Sequence, residues 1–227
     1  MVATDAASDS GYAIYEHVFD AARMTSVLNA LSAVEIARTK AGVRHVLRVS
    51  AVRELALDKR LIGIARRFVG DGAAPYRATL FDKSSTSNWL VVWHQDTALP
   101  LRERVESAGW GPWSVKAGIT YAHAPASALE QVIALRVHLD DSTLTNGPLR
   151  VLPHTHSLGV LTDDRMHELA SSIRSVECVA AAGGVVAMRP LTVHASSKAT
   201  DDQPRRVLHI EYAASTQLGE NLVLAEA

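Results

Sequence analysis

The chain has 227 residues, 23 Lys+Arg against 24 Asp+Glu for a formal net charge of −1, and 48% apolar and 21% charged residues. This balance excludes a disordered or fibrous chain, and the near-zero charge speaks against nucleic acid or an anionic membrane as the main partner. The one cysteine, Cys178, excludes an intramolecular disulfide and any multi-cysteine metal site.

The length fits one domain, residues 1–227, with a helical part over about 1–72 and a β part over about 75–214. Residues 1–15 carry no basic or apolar leader, and the longest uncharged apolar run, Cys178–Met188, is too short to span a bilayer, so a cytoplasmic protein is expected. Ala21–Ala37 places Met24, Val27, Leu28, Leu31 and Val34 on one stripe and predicts a helix. Ser50 is the expected N-cap of a second helix running to about Phe68, and Gly70-Asp71-Gly72 supplies its left-handed stop.

After Pro75 the period drops to two. Strands are predicted at Tyr76–Phe81, Trp89–Trp93, Gln131–Leu139, Pro148–Leu152, Val176–Ala181, Val185–Met188, Leu191–Ala195 and Arg205–Tyr212, with a short helix at Asp163–Ile173. Strands without long helices between them point to an antiparallel sandwich or jelly roll. Thr97–Ala128, rich in Gly, Pro and Trp, reads as a long irregular lid that is open to proteases. Trp110 and Trp113 either close over a substrate or anchor that loop.

Ten histidines and one cysteine direct the search for chemistry to imidazole and carboxylate groups. Three His-x-acid pairs put both side chains on one strand face: His94/Asp96, His138/Asp140 and His209/Glu211. A non-haem Fe(II) site needs two His and one carboxylate, leaving positions open for substrate and oxygen. His94 and Asp96 are preferred, because they sit where a strand gives way to the long connection. His138 and Asp140 run into a turn, and His209 and Glu211 lie mid-strand, so structural roles are favoured there. The third ligand must come from another strand, and His194 ends one. Ser196 follows it, and Arg205 opens the last strand, offering a bidentate fork for a carboxylate with the Ser196 hydroxyl beside it. Cys178 reads as a core thiol, Arg136 as a paired structural cation rather than a substrate clamp, and His154 and His156 as loop residues rather than a second metal site.

Trp93-His94-Gln95-Asp96, Asn146-Gly147-Pro148-Leu149 with Leu152-Pro153, and His194-x-Ser196 with Arg205 together resemble the phytanoyl-CoA dioxygenase family. These are Fe(II)- and 2-oxoglutarate-dependent oxygenases on a double-stranded β-helix, and the similarity runs from about Ala41 to Ala213. The resemblance implies a mainly β, cupin-like jelly roll with N-terminal helices packed on one face. It implies that His94, Asp96 and His194 hold iron, and that Arg205 and Ser196 bind the distal carboxylate of 2-oxoglutarate. It also implies that Thr79 lines the 2-oxoglutarate pocket and that Arg44 is a basic co-substrate contact. With O2 and a small organic substrate, the implied reaction is hydroxylation with release of succinate and CO2. The carboxylate at Asp96 favours this over halogenation, since related halogenases carry Gly or Ala there. Pro153-His154-Thr155-His156 replaces the family's Pro-Gly-Ser/Thr-His, and Ala199 stands where Asn is common. The rival readings are a non-catalytic jelly-roll binding module and a metal-dependent cupin isomerase that ignores 2-oxoglutarate. The sequence leaves substrate and oligomeric state open.

Overall fold

Val132–His138 alternates in character: Ile133, Leu135 and Val137 point to one side, while Ala134, Arg136 and His138 point to the other. The same alternation recurs in Arg205–Ala213, so two neighbouring strands each offer one apolar and one polar face. The computed structural model describes residues 9–34, 42–84 and 87–227. Its strands are, in chain order, β1 (Tyr12–Tyr15), β2 (Gly42–Val43), β3 (Ala74–Lys83), β4 (Val91–His94), β5 (Ala98–Leu101), β6 (Trp113–Lys116), β7 (Ile119–His123) and β8 (Val132–His138). There follow β9 (Leu149–Val151), β10 (Val176–Cys178), β11 (Val185–Met188), β12 (His194–Ser196), β13 (Arg205–Ala213), β14 (Gln217–Gly219) and β15 (Leu222–Val223). Two antiparallel sheets carry the fold, a six-stranded one in the order β1-β11-β8-β13-β3-β2 and a four-stranded one in the order β10-β9-β12-β4.

The helices are α1 (Ala21–Ser32), α2 (Ser50–Ala56), α3 (Lys59–Val69), α4 (Ala126–Leu129) and α5 (Asp163–Ser172). The first three cover the apolar face of the larger sheet. Met24, Val27, Leu55, Leu61 and Phe68 share one core with Leu80, Ile133, Leu135, Val137, Leu208, Ile210 and Tyr212. Each such side chain contributes about 1.5–3 kcal/mol by leaving water. The Tyr212 hydroxyl, buried in this layer, donates to Ala56 O at 2.8 Å. With that face sealed, the polar face of β3, β8 and β13 is left for the site. No helix among the described residues is long and apolar enough to cross a membrane.

Every predicted strand has a counterpart, with shifted ends: Trp89–Trp93 becomes Val91–His94, and Leu191–Ala195 becomes His194–Ser196. The expected helix from Ser50 to Phe68 is two helices. Val49 is the N-cap and Ser50 the first helical residue. The break falls at Leu57-Asp58, where the Asp58 carboxylate accepts from Arg60 N at 2.9 Å and starts α3 afresh. The helix expected over Ala21–Ala37 ends at Ser32, and residues 35–37 lie outside the described residues.

Thr97–Ala128 is not an irregular lid. It folds into a three-stranded antiparallel sheet, β5-β7-β6, closed by the tight turn Ala117-Gly118, whose φ values are 49° and 81°. Trp110 packs with Leu99, Leu101, Ala122 and Leu222, which makes it an anchor for this sheet. The strands are short, with Pro100 inside β5 and Pro112 just before β6, which hides the period-2 signal. Within 97–128, trypsin is therefore expected to cut first in the exposed turn at Arg102 or Arg104, with the three strands protected; cleavage at Lys116 ahead of these would contradict the sheet.

Cys178 is fully buried, and burial pushes its thiol up to about 12. Iodoacetamide at pH 8 is expected to leave it unmodified in the native protein and to label it only after unfolding, as mass spectrometry would show.

Candidate metal centre

His94 and His194 are register partners on the neighbouring strands β4 and β12, and their ring centroids lie 4.1 Å apart. Asp96 follows two residues after His94, its backbone N–H held by Pro190 O at 2.9 Å. Its carboxylate oxygens lie 3.7 Å from His94 Nε2 and 3.6 Å from His194 Nε2. One donor atom from each of the three falls within 4.8 Å of the others, and no other such group of three occurs among the described residues. Neither His154 nor His156 belongs to it.

The backbone fixes the tautomer of both imidazoles. His94 Nδ1 lies 2.9 Å from Val92 O and His194 Nδ1 lies 2.9 Å from Thr192 O. A carbonyl can only accept, so each Nδ1 carries the proton and each Nε2 turns a lone pair towards Asp96, the form a metal requires. His209 is set the other way. Arg136 Nη1 donates to its Nδ1 at 3.1 Å, so the proton sits on Nε2, 4.0 Å from the Asp96 carboxylate. His209 therefore backs Asp96 and is no ligand. Burial alone would raise the Asp96 carboxyl, but His194, His94 and His209 hold it well below the usual range. Burial and the neighbouring His94 push His194 down to about 4, against the pull of Asp96, so it is neutral at pH 7.

A cavity of about 210 Å³ opens beside the triad, walled by Phe81, Trp89, Val91, Arg136, Leu149, Ser196 and Arg205. Arg205 is 3% exposed. Its Nε donates to Asn146 O at 3.3 Å and Nη2 to Ser196 Oγ at 3.4 Å, while Nη1 has no partner. No carboxylate among the described residues pairs with it, and burial together with Arg136 disfavours its charge. Lys83, the register partner of Arg205, is equally buried. It donates to Ser196 Oγ at 3.0 Å and Ser197 O at 2.5 Å, and burial, Arg205 and Arg136 push it down to about 8. The Ser196 hydroxyl in turn donates to Gly147 O at 2.9 Å, tying both cations to the Asn146-Gly147 turn.

Lys83 is the residue that sequence reasoning missed. The signal was its place in β3, two residues beyond Phe81 and four beyond Thr79, on the face turned inward. Arg136, expected to be a paired cation, forms no ion pair among the described residues: it donates to the neutral His209 ring and walls the cavity, with Nε unsatisfied. Thr79 and Arg44 do not border the cavity of Arg205. They open on an adjoining one of about 290 Å³, which shares only Phe81 and Asp96 with the first. Of the alternative pairs, Asp140 is taken by Arg206, accepting from its backbone N and its guanidinium, and Glu211 by Arg77 and Tyr76.

Gly147 has φ +72°, and a Cβ there would come 2.5 Å from Ser197 O and 3.0 Å from Lys83 Nζ. Gly147→Ala is expected to cost about 1–3 kcal/mol of stability. A melting temperature equal to wild type would show that the turn has room to shift.

A profile of the phytanoyl-CoA dioxygenase family matches residues 8–207. The chain belongs to the phytanoyl-CoA dioxygenase family. The triad, Ser196 and Arg205 of this phytanoyl-CoA dioxygenase family member all fall inside the matched stretch. Over 178 residues it is 24% identical to L-proline trans-4-hydroxylase from Streptomyces griseoviridis, covering 67% of this chain and 59% of that one. It therefore spans less than two thirds of that relative's length. Its fold is similar to that of EctD from S. alaskensis crystallised with 2-oxoglutarate and 5-hydroxyectoine, with TM-score 0.71 and 20% identity over 95% of this chain and 77% of that one. AviO1 from Streptomyces viridochromogenes Tue57 gives TM-score 0.64 and 21% identity over 91% of this chain and 90% of that one. Both structures share the jelly roll expected from the sequence.

Proposed function

We propose that the chain is an Fe(II)- and 2-oxoglutarate-dependent hydroxylase of a small organic molecule, with succinate and CO2 as co-products. The observation that carries the reading is that two histidines and an aspartate, preset as ligands, face the same cavity as a buried arginine with no acid partner. The donor set fits Fe(II), and the orphaned Arg205 Nη1 fits one carboxylate of a diacid. Iron with 2-oxoglutarate and O2 supplies the oxidising power for inserting oxygen into a C–H bond as 2-oxoglutarate loses CO2.

His94 and His194 present Nε2 and Asp96 a carboxylate, and these three would hold the ion. Arg205, braced by Ser196, holds the far carboxylate of 2-oxoglutarate and orients its keto-acid end towards the triad. Phe81, Trp89, Val91 and Leu149 keep water away from this end, which strengthens the charge contacts. His209, held by Arg136, turns its Nε2–H towards Asp96 from behind. The proline hydroxylase relative and the neighbour crystallised with 2-oxoglutarate support the reading.

Mixing the protein with Fe(II) and 2-oxoglutarate without oxygen is expected to give a weak visible charge-transfer band. His94→Ala and Asp96→Ala should abolish it, with metal affinity falling by more than ~100-fold, since even residues behind a ligand cost 10–100-fold. His138→Ala should keep it. Metal binding without the band would favour an isomerase, and neither would favour a binding module.

A further inference from the structure

We propose that the adjoining cavity is the substrate subsite and takes a small molecule bearing a carboxylate or phosphate, held by Arg44 and Lys116. The inference rests on the oxygenase reading, because it takes the metal to lie at Asp96. The cavity of about 290 Å³ meets the first at Asp96 and Phe81, so it reaches a metal ligand without having Arg205 in its wall. A molecule anchored at its cationic end would extend towards the triad.

Three cations line it: Arg44, Arg77 and Lys116. Arg77 is answered, because it pairs with Glu211 and its Nη1 donates to Ala98 O at 3.3 Å. Arg44 and Lys116 have no ion pair and no side-chain hydrogen bond among the described residues. Lys116 Nζ only rests over the Tyr121 ring, 5.0 Å from its centre. The like charges act on one another: burial lowers the Lys116 pKa, and Arg44 and Arg77 lower it further, against a weaker pull from Asp96. Such crowding is unfavourable unless an anion enters.

The elements make this convergence specific. Arg44 follows β2, whereas Lys116 ends β6 at the Ala117-Gly118 turn, 72 residues further along the chain. The sheet expected to be a loose lid thus carries one arm of the anion grip. Asp96, the acid in the wall, belongs to the metal-ligating triad, and Glu211 behind it is paired with Arg77, so the cations outnumber the acids at this end.

The test titrates inorganic phosphate and propionate into the anaerobic Fe(II)–2-oxoglutarate complex, following the visible band and the melting temperature. With 2-oxoglutarate filling the Arg205 end, the added anion is directed to Arg44 and Lys116. A saturable response is expected in wild type, weaker by about tenfold or more in Arg44→Gln and Lys116→Gln, while Arg44→Lys keeps part of it. A stronger response to phosphate points to a phosphate ester, and to propionate, a carboxylic acid. Both side chains are unpaired and only half-buried, so the glutamine variants should fold. No saturable response in wild type, or unchanged affinity in both variants, overturns the proposal while the band keeps the oxygenase reading intact. Weaker 2-oxoglutarate binding in Arg44→Gln, with the anion response unchanged, also overturns it by placing Arg44 on the co-substrate. A wild-type protein without the band sinks the oxygenase reading itself.

Discussion

Arg205→Met is expected to weaken 2-oxoglutarate binding by a hundredfold or more while leaving the metal-free protein at least as stable as wild type. The two effects have opposite signs for one reason. Without an anion, Arg205 is a buried charge beside Lys83 and Arg136, held by two long hydrogen bonds of 3.3 and 3.4 Å. An uncharged side chain of similar length relieves that repulsion. With 2-oxoglutarate, the same substitution removes one partner of a buried ion pair, which costs about 3–5 kcal/mol, and each 1.4 kcal/mol is tenfold in affinity. Arg206 is the control. It points to the opposite face, where it donates to Asp140 at 2.7 Å from both Nε and Nη2. Arg206→Ala should lower stability by about 1–3 kcal/mol and leave 2-oxoglutarate affinity alone. Calorimetric titration of 2-oxoglutarate into both iron-loaded variants decides the matter: equal affinities, or the larger loss in Arg206→Ala, would remove Arg205 from the co-substrate site.

The metal-free protein is expected to be acid-labile well above the range in which carboxylates titrate. Burial pushes His138 and His209 down to about 3 and His194 to about 4, from an ordinary value of 6.5. Between pH 6.5 and 4 the unfolded chain binds protons that the folded chain refuses, so stability falls as pH falls. Three such groups give a slope approaching roughly 4 kcal/mol per pH unit, against a typical total of ~5–15 kcal/mol. Urea unfolding from pH 8 to 5 should show little change above pH 7 and a steep loss below 6.5. His138→Leu tests the assignment without touching the triad, because its imidazole nitrogens are buried without partners. It should flatten the slope by about one proton; an unchanged slope would mean that His138 takes up a proton in the fold.

The triad was legible because its chemistry is compressed into local patterns. His94 and Asp96 share one strand end, and His194, Ser196 and Arg205 recur at fixed offsets around one turn. The alternation that separates Arg205 from Arg206 likewise needs nothing beyond a strand's period of two, and the apolar set Leu208, Ile210 and Tyr212 does pack beneath the helices. Lys83 and Arg136 were harder to read. A lysine or arginine in a strand is ordinarily a solvated residue, and only the three-dimensional closure of β3, β8 and β13 turns these inward. The sheet β5-β7-β6 was hidden for another reason. Its strands have four or five residues and lie among prolines and glycines, so composition suggested irregularity where long-range pairing supplies order. Arg44 and Lys116 come together only through that pairing.

β4 lies at the edge of its sheet, with β12 as its sole neighbour among the described residues. An edge strand ordinarily frays, since half of its backbone groups find no ladder. Here that strand supplies His94 and leads directly to Asp96, while the third ligand stands opposite on β12. An ion held by all three would bolt the outer strand to the inner one, and the strand in turn would admit or release the ion by loosening. Metal exchange and the fraying of one sheet edge then become a single event, so amide hydrogen exchange along Val91–His94 should slow with iron loading in step with the occupancy of the site.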